Sequence, residues 1–167
     1  MSTLTQPLQR KLVLNDPPSL VLATIETARL MLPGHDEDDI LSLIQEGALP
    51  WSWNIALDPA NSAREIRILP DCIDHYSRTG GSRQFGLRNL NFLIAHRLLP
   101  EAHKPFVLST KLRLLFNCSA THITNLVDAA ILKELVGTKY RRGPNGAACI
   151  TRPSAIRFLE TRLEAAL

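Results

Sequence analysis

Thr121, His122, Thr124 and Asn125, together with the cationic run Lys139-Tyr140-Arg141-Arg142, hold the clearest chemistry in this chain of 167 residues. An asparagine can form paired hydrogen bonds with the edge of adenine, and a threonine can donate, accept or touch a methyl group. Three cations around a tyrosine suit phosphates or a narrow anionic groove. Lys111 and Arg113 lie a little upstream and can hold a phosphate backbone. Nothing of similar quality points to catalysis. His35, His75, His96, His103 and His122 show no metal-ligand spacing with one another or with cysteine. The acidic run Asp36-Glu37-Asp38-Asp39 lacks the glycine and the distal glutamate of a calcium loop. There is no GxGxxG, no Walker loop and no nucleophile elbow. The expectation is a protein with no catalytic residue, no metal and no cofactor.

The charge is divided between the two halves. Residues 1–83 hold seven Lys and Arg against eleven Asp and Glu, a balance of −4. Residues 84–167 hold twelve against five, a balance of +7. An acidic half joined to a basic half suggests two jobs, the basic one suited to a polyanion. Cys72, Cys118 and Cys149 are odd in number and widely spaced, which fits reduced, packed side chains and a cytoplasmic setting rather than a disulfide framework. No signal peptide and no membrane-spanning run is expected.

The elements that must position these residues occur twice. Residues 40–49 read ILSLIQEGAL and residues 123–132 read ITNLVDAAIL. At a spacing of 83, Ile40 pairs with Ile123, Leu43 with Leu126, Ile44 with Val127, Leu49 with Leu132, Pro70 with Pro153 and Ile73 with Ile156. A fixed period of this kind marks a duplicated structural unit.

In the second copy Val107 and Leu108 read as an extended lead-in. Ser109 or Thr110 is expected to cap a short helix to about Phe116. Asn117 tolerates the left-handed backbone of a turn. Ser119 is expected to cap a second helix to about Asp128, with Ile123, Leu126 and Val127 as its buried stripe and Thr121, His122, Thr124 and Asn125 facing outward. Glu134–Lys139 and Ala147–Thr151 read as strands around the turn Gly143-Pro144-Asn145-Gly146. Pro153 opens a last helix.

The first copy follows the same plan. VLAT at 21–24 echoes VLST at 107–110 at a spacing of 86. Gly34 takes the place of Asn117 and Asp36 that of Ser119. Leu41 stands where the second copy has Thr124, an apolar residue on a face expected to be exposed. Trp51, Trp53 and Ile55 alternate with Ser52 and Asn54 as a strand, with the tryptophans expected in the core. Asp58–Ser62 is a hairpin loop, residues 64–68 return, and Pro70 opens a third helix. Gly80-Gly81 ends the unit. Leu90, Leu93, Ile94 and Leu98 suggest a connecting helix closed by Pro100 and Pro105.

The second copy, VLSTKLRLLFNCSATHITNLVDAAIL with its wing and ITRPSAIRFLETRL, resembles the MerR-like winged helix-turn-helix family, in its excisionase-type branch. Leu115–Ser119 fills the turn of that pattern, and Leu126–Leu132 fills the run at the end of the second helix. Ala130 replaces the glycine that the first copy keeps as Gly47. The resemblance implies a mainly α fold with small β-hairpin wings: tandem winged helix-turn-helix units joined by a helical linker. The expected division is an arm over 1–18, a first acidic unit over 19–80, a linker with a helix over 81–106 and a second basic unit over 107–167.

It also implies a double-stranded DNA-binding protein of architectural or regulatory role. This would be an excisionase-like or accessory factor of a mobile element or plasmid, or a small regulator of transcription. Ser119 would then contact DNA and Thr121, His122, Thr124 and Asn125 would meet base edges, while Lys139, Tyr140, Arg141 and Arg142 on the wing would meet phosphates or the adjacent minor groove and Lys111 and Arg113 would hold the phosphate backbone. The second copy is expected to bind largely on its own. Carboxylates at Asp36–Asp39 repel phosphate, so the first unit would touch DNA only through its wing, at Arg64 or Arg67. Otherwise it would dock a second copy of the chain, a recombinase, a relaxase or a polymerase. A protein-interaction adaptor is the alternative reading.

Overall fold

Both halves run strand, helix, helix, strand, helix, and the first has a further strand before its last one, where the second shows among the described residues only a bridge from Glu134 to Ile150. The computed structural model describes residues 20–86, 89–135 and 147–164. The first half runs β1 (Ala23–Thr24), α1 (Ile25–Met31), α2 (Glu37–Gln45), β2 (Ser52–Asn54), β3 (Ile66–Ile68) and α3 (Pro70–Thr79). A short helix α4 (Leu90–Leu93) continues as a π-helical segment over Ile94–Leu98. The second half runs β4 (Phe106–Leu108), α5 (Ser109–Leu115), α6 (Ala120–Asp128), β5 (Cys149–Thr151) and α7 (Arg152–Thr161). The described residues thus form a mixed fold of helices with two small antiparallel sheets, ordered β1-β3-β2 and β4-β5.

Sheet register corrects one expectation about the repeat. Ala23 pairs with Ile68 and Phe106 with Thr151, so the equivalent residues stay 83 apart in the strands as well. The echo of VLAT in VLST at a spacing of 86 is therefore not the structural correspondence. β4 keeps one more residue than β1 before its helix, and the connection from α1 to α2 is one residue longer than that from α5 to α6. The two differences cancel.

Local chemistry explains where the helices start. Asp36 caps α2, its Oδ1 accepting the Asp39 N–H at 2.8 Å while Asp39 Oδ2 accepts the Asp36 N–H at 2.9 Å. Ser119 caps α6 by accepting the His122 N–H at 3.1 Å. These bonds satisfy donors that a helix start leaves open. Pro70 and Pro153 each lie in the first turn of a helix, where their missing N–H costs nothing. Ser109 does not act as a cap. It lies inside α5, and its hydroxyl accepts the Ala148 N–H at 3.0 Å, tying the helix to the approach to β5.

Of the expected stripes, Ile40 and Ile44 on α2 and Ile123 and Leu126 on α6 are buried, while Leu43 and Val127 are half-buried. Trp51 and Trp53 are fully buried and stacked, with ring centroids 6.4 Å apart. Ser52 and Asn54 are buried too, because the far edge of β2 is covered. Trp53 bridges to Leu163, the Asn54 N–H donates to Arg162 O at 2.9 Å and the Glu164 N–H donates to Ser52 O at 2.9 Å. The end of the second half thereby closes an edge that would otherwise stay open.

Other bonds cross between the halves in the same region. Trp53 Nε1 donates to Leu159 O at 3.0 Å, Arg162 donates to Asn54 O and Ala56 O, and the Leu22 N–H donates to Leu115 O at 2.9 Å. A single cluster of buried apolar side chains runs through both copies, from Leu22 and Trp53 to Phe116, Phe158 and Leu159. Arg97 on the linker pairs with Asp71 on α3 at 2.7 Å. Arg152 at the start of α7 donates to Glu101 O and Leu99 O. The boundary between units falls inside a shared core. Among the described residues, no helix is long and apolar enough to cross a membrane.

Candidate nucleic-acid interface

With Ile123 and Leu126 committed to the core, α6 turns Thr121, Thr124, Asn125 and Asp128 to solvent. These positions are spaced at i, i+3, i+4 and i+7, so they form one continuous face. The side-chain amide of Asn125 makes no hydrogen bond among the described residues and is open to a partner. Thr124 donates to Ala120 O at 3.1 Å, which leaves its methyl group and lone pairs outward. Ser119 is exposed, and its oxygen is occupied by the cap.

On α5, Arg113 and Lys111 are exposed. Lys111 is already paired, its Nζ lying 3.0 Å from the Glu101 carboxylate, which also holds Lys104 at 2.9 Å. Hydrogen bonds from Lys104 and Lys111 keep the Glu101 carboxyl down to about 2. A groove of about 390 Å³ runs between α5, α6 and the approach to β5, lined among others by Thr110, Arg113, Thr124, Asp128 and Glu134. Its charge is mixed, one guanidinium against two carboxylates.

Two expected contact residues are engaged elsewhere. His122 does not face outward; its ring is half-buried and Nε2 lies 2.6 Å from Ile55 O of the first half. A carbonyl only accepts, so Nε2 carries the proton. The Glu65 carboxylate stands 4.0 Å from Nδ1. Arg67 is half-buried, and its guanidinium donates to Phe116 O at 2.7 Å, Asn117 O at 3.0 Å and Ile66 O at 2.9 Å. Burial draws its pKa below the ordinary guanidinium value. Neither residue is free to meet DNA in this arrangement, because the other repeat lies against it. Arg64, by contrast, is exposed. Lys139, Tyr140, Arg141 and Arg142 lie outside the described residues.

In the first half, Asp36–Asp39 are exposed at the start of α2, and the residue equivalent to Thr124, Leu41, is half-buried against the core rather than outward. Cys72 and Cys149 are buried and Cys118 is half-buried; burial pushes the Cys72 thiol up to about 12 and the Cys118 thiol up to about 11. Among the described residues, no group of three or more His, Cys, Asp or Glu side chains is placed to hold a metal ion.

Glu101, whose spacing to Lys104 is visible in the sequence, and Glu65 and Asp128, which carry no such signal, place negative charge beside the expected contacts. Comparison with protein-family models, curated proteins and solved structures finds no match to this chain.

Proposed function

We propose that this chain is a double-stranded DNA-binding protein of architectural or regulatory role, made of two winged helix-turn-helix units of the MerR-like, excisionase-type kind. One observation carries the reading: α6 follows α5 across a short turn and presents Thr121, Thr124 and Asn125 to solvent on the half with a balance of +7. A helix so placed enters a major groove with its polar face toward base edges. Asn125 supplies paired hydrogen bonds, and Thr121 and Thr124 supply single bonds or methyl contacts. Arg113 lines the groove beside this face and Lys111 lies earlier on α5 against Glu101; both take phosphates. The wing cations Lys139, Arg141 and Arg142 take more of them. The acidic start of α2 keeps the first unit from reading a groove in the same way.

A second reading has its own support. Leu30 on α1 is 80% exposed, and α2 begins with exposed carboxylates. An exposed apolar side chain and exposed negative charge on the same unit suit a protein partner, so the first unit would join the DNA-bound second unit to a recombinase, a relaxase, a polymerase or another copy of the chain.

The test of base reading is a selection from randomised duplexes with the parent chain and with Asn125→Ala. The variant is expected to lose about 1–3 kcal/mol at the preferred site and to relax the preference at one base pair. An unchanged selected motif would remove α6 from the role of reader.

A further inference from the structure

We propose that Arg67 is a positioning residue for α6, acting with His122 as a clamp from the first repeat onto the base-reading helix of the second. The inference rests on the DNA-binding reading above and adds a reason for the duplication.

The clamp closes on both sides of the turn that leads into α6. Before the turn, the Arg67 guanidinium binds Phe116 O and Asn117 O, carbonyls that the end of α5 leaves without helical partners. A cation there also complements the negative end of the helix. Asn117 has a left-handed backbone, with φ of 49°, so the chain reverses at the residue Arg67 holds. After the turn, His122 in the first turn of α6 donates to Ile55 O.

Arg67 lies on β3 and Ile55 directly follows β2; the two strands pair, Trp53 opposite Arg67. One strand pair of the first half therefore grips the second half just before and just after Ser119. The direction in which Thr121, Thr124 and Asn125 point is set by residues more than fifty positions away in sequence. Phosphate contacts from flexible Lys and Arg side chains tolerate a small rotation of α6, whereas a paired hydrogen bond to a base edge does not.

The experiment uses the full chain, the duplex recovered from the randomised selection and a scrambled duplex of equal length. The quantity read is the ratio of the two affinities for the parent, Arg67→Met and Arg67→Lys. Partial unfolding lowers both affinities by the same factor and leaves the ratio alone, so the ratio separates positioning from plain stability.

Arg67→Met is expected to lower the ratio about tenfold, the size of one lost base contact, with scrambled-duplex affinity kept within about twofold. Arg67→Lys, which keeps the charge but on a single donor nitrogen, is expected to fall between. An unchanged ratio in Arg67→Met overturns the clamp, as does an equal fall in both affinities; should that variant not fold, Arg67→Lys decides by the same criteria. A parent that binds duplex with no preferred site overturns the clamp and leaves the DNA reading standing. A parent that binds no duplex overturns both.

Discussion

Ala130 holds the left-handed backbone, with φ of 57°, at the place where Gly47 holds it with φ of 78°, 83 residues earlier. Each lies two residues past the end of the second helix of its repeat. A side chain in this region costs about 1–2 kcal/mol, against which alanine recovers about 0.4–1 kcal/mol from the smaller entropy of its unfolded chain. The site at Gly47 is open, with nothing within 4 Å of an added Cβ, so the cost there is conformational alone. Ala130→Gly is expected to raise stability by up to about 1 kcal/mol, and Gly47→Ala to lower it by a similar amount. Denaturant melts of the two variants check both signs.

The crossing bonds predict that neither repeat stands alone. A chain beginning at Lys104 loses the partners of Leu115 O, Phe116 O, Leu159 O and Arg162 O together. It also leaves the shared apolar cluster, to which Phe116 and Phe158 belong, without its first-half members. About sixty residues with half a core are marginal at best. Such a fragment is expected to show no cooperative thermal transition, in place of the self-sufficient second copy expected from sequence. A sharp melt by circular dichroism, with affinity for duplex equal to that of the full chain, would contradict the shared core.

Glu101 already holds Lys111, a cation that the proposed function puts on phosphate. Glu101→Gln is expected to strengthen duplex binding about two- to fivefold at low salt, with the gain fading as salt rises. The same variant tests the sign of a pH effect. Glu101 is held down to about 2 from an ordinary value of 4.5, so its ion pairs contribute fully above pH 4.5 and lose their contribution as pH falls toward 2. Both pairs are partly exposed, so the contribution is small. The parent should lose slightly more stability than Glu101→Gln across that window, as read by acid-dependent melts.

What could be read from sequence was what local rules govern. The caps at Asp36 and Ser119, the prolines opening α3 and α7, the stripes on α2 and α6 and the burial of both tryptophans follow from residue type and spacing within a single element. The linker helix was readable for the same reason, since Leu93, Ile94 and Leu98 are buried along it. What depends on the other repeat was not. Nothing near Arg67 or His122 in sequence says that Phe116 O or Ile55 O lies beside it, because a contact across 49 or 67 residues leaves no periodic signature. The burial of Ser52 and Asn54 was hidden likewise, since polar alternation normally marks a face open to water. The likeness of VLAT to VLST misled because four similar residues weigh less than strand register.

The central claim, that this chain binds duplex DNA through its basic half, is tested most directly by titrating the full chain against a mixed-sequence duplex over a range of salt. With Lys111, Arg113, Lys139, Arg141 and Arg142 on phosphates, the logarithm of the binding constant should fall against the logarithm of salt with a slope of roughly −4 to −5. Between about 50 mM and about 200 mM salt that is a loss of some two to three orders of magnitude. No binding at the lowest salt, or binding with no dependence on salt, would contradict the account.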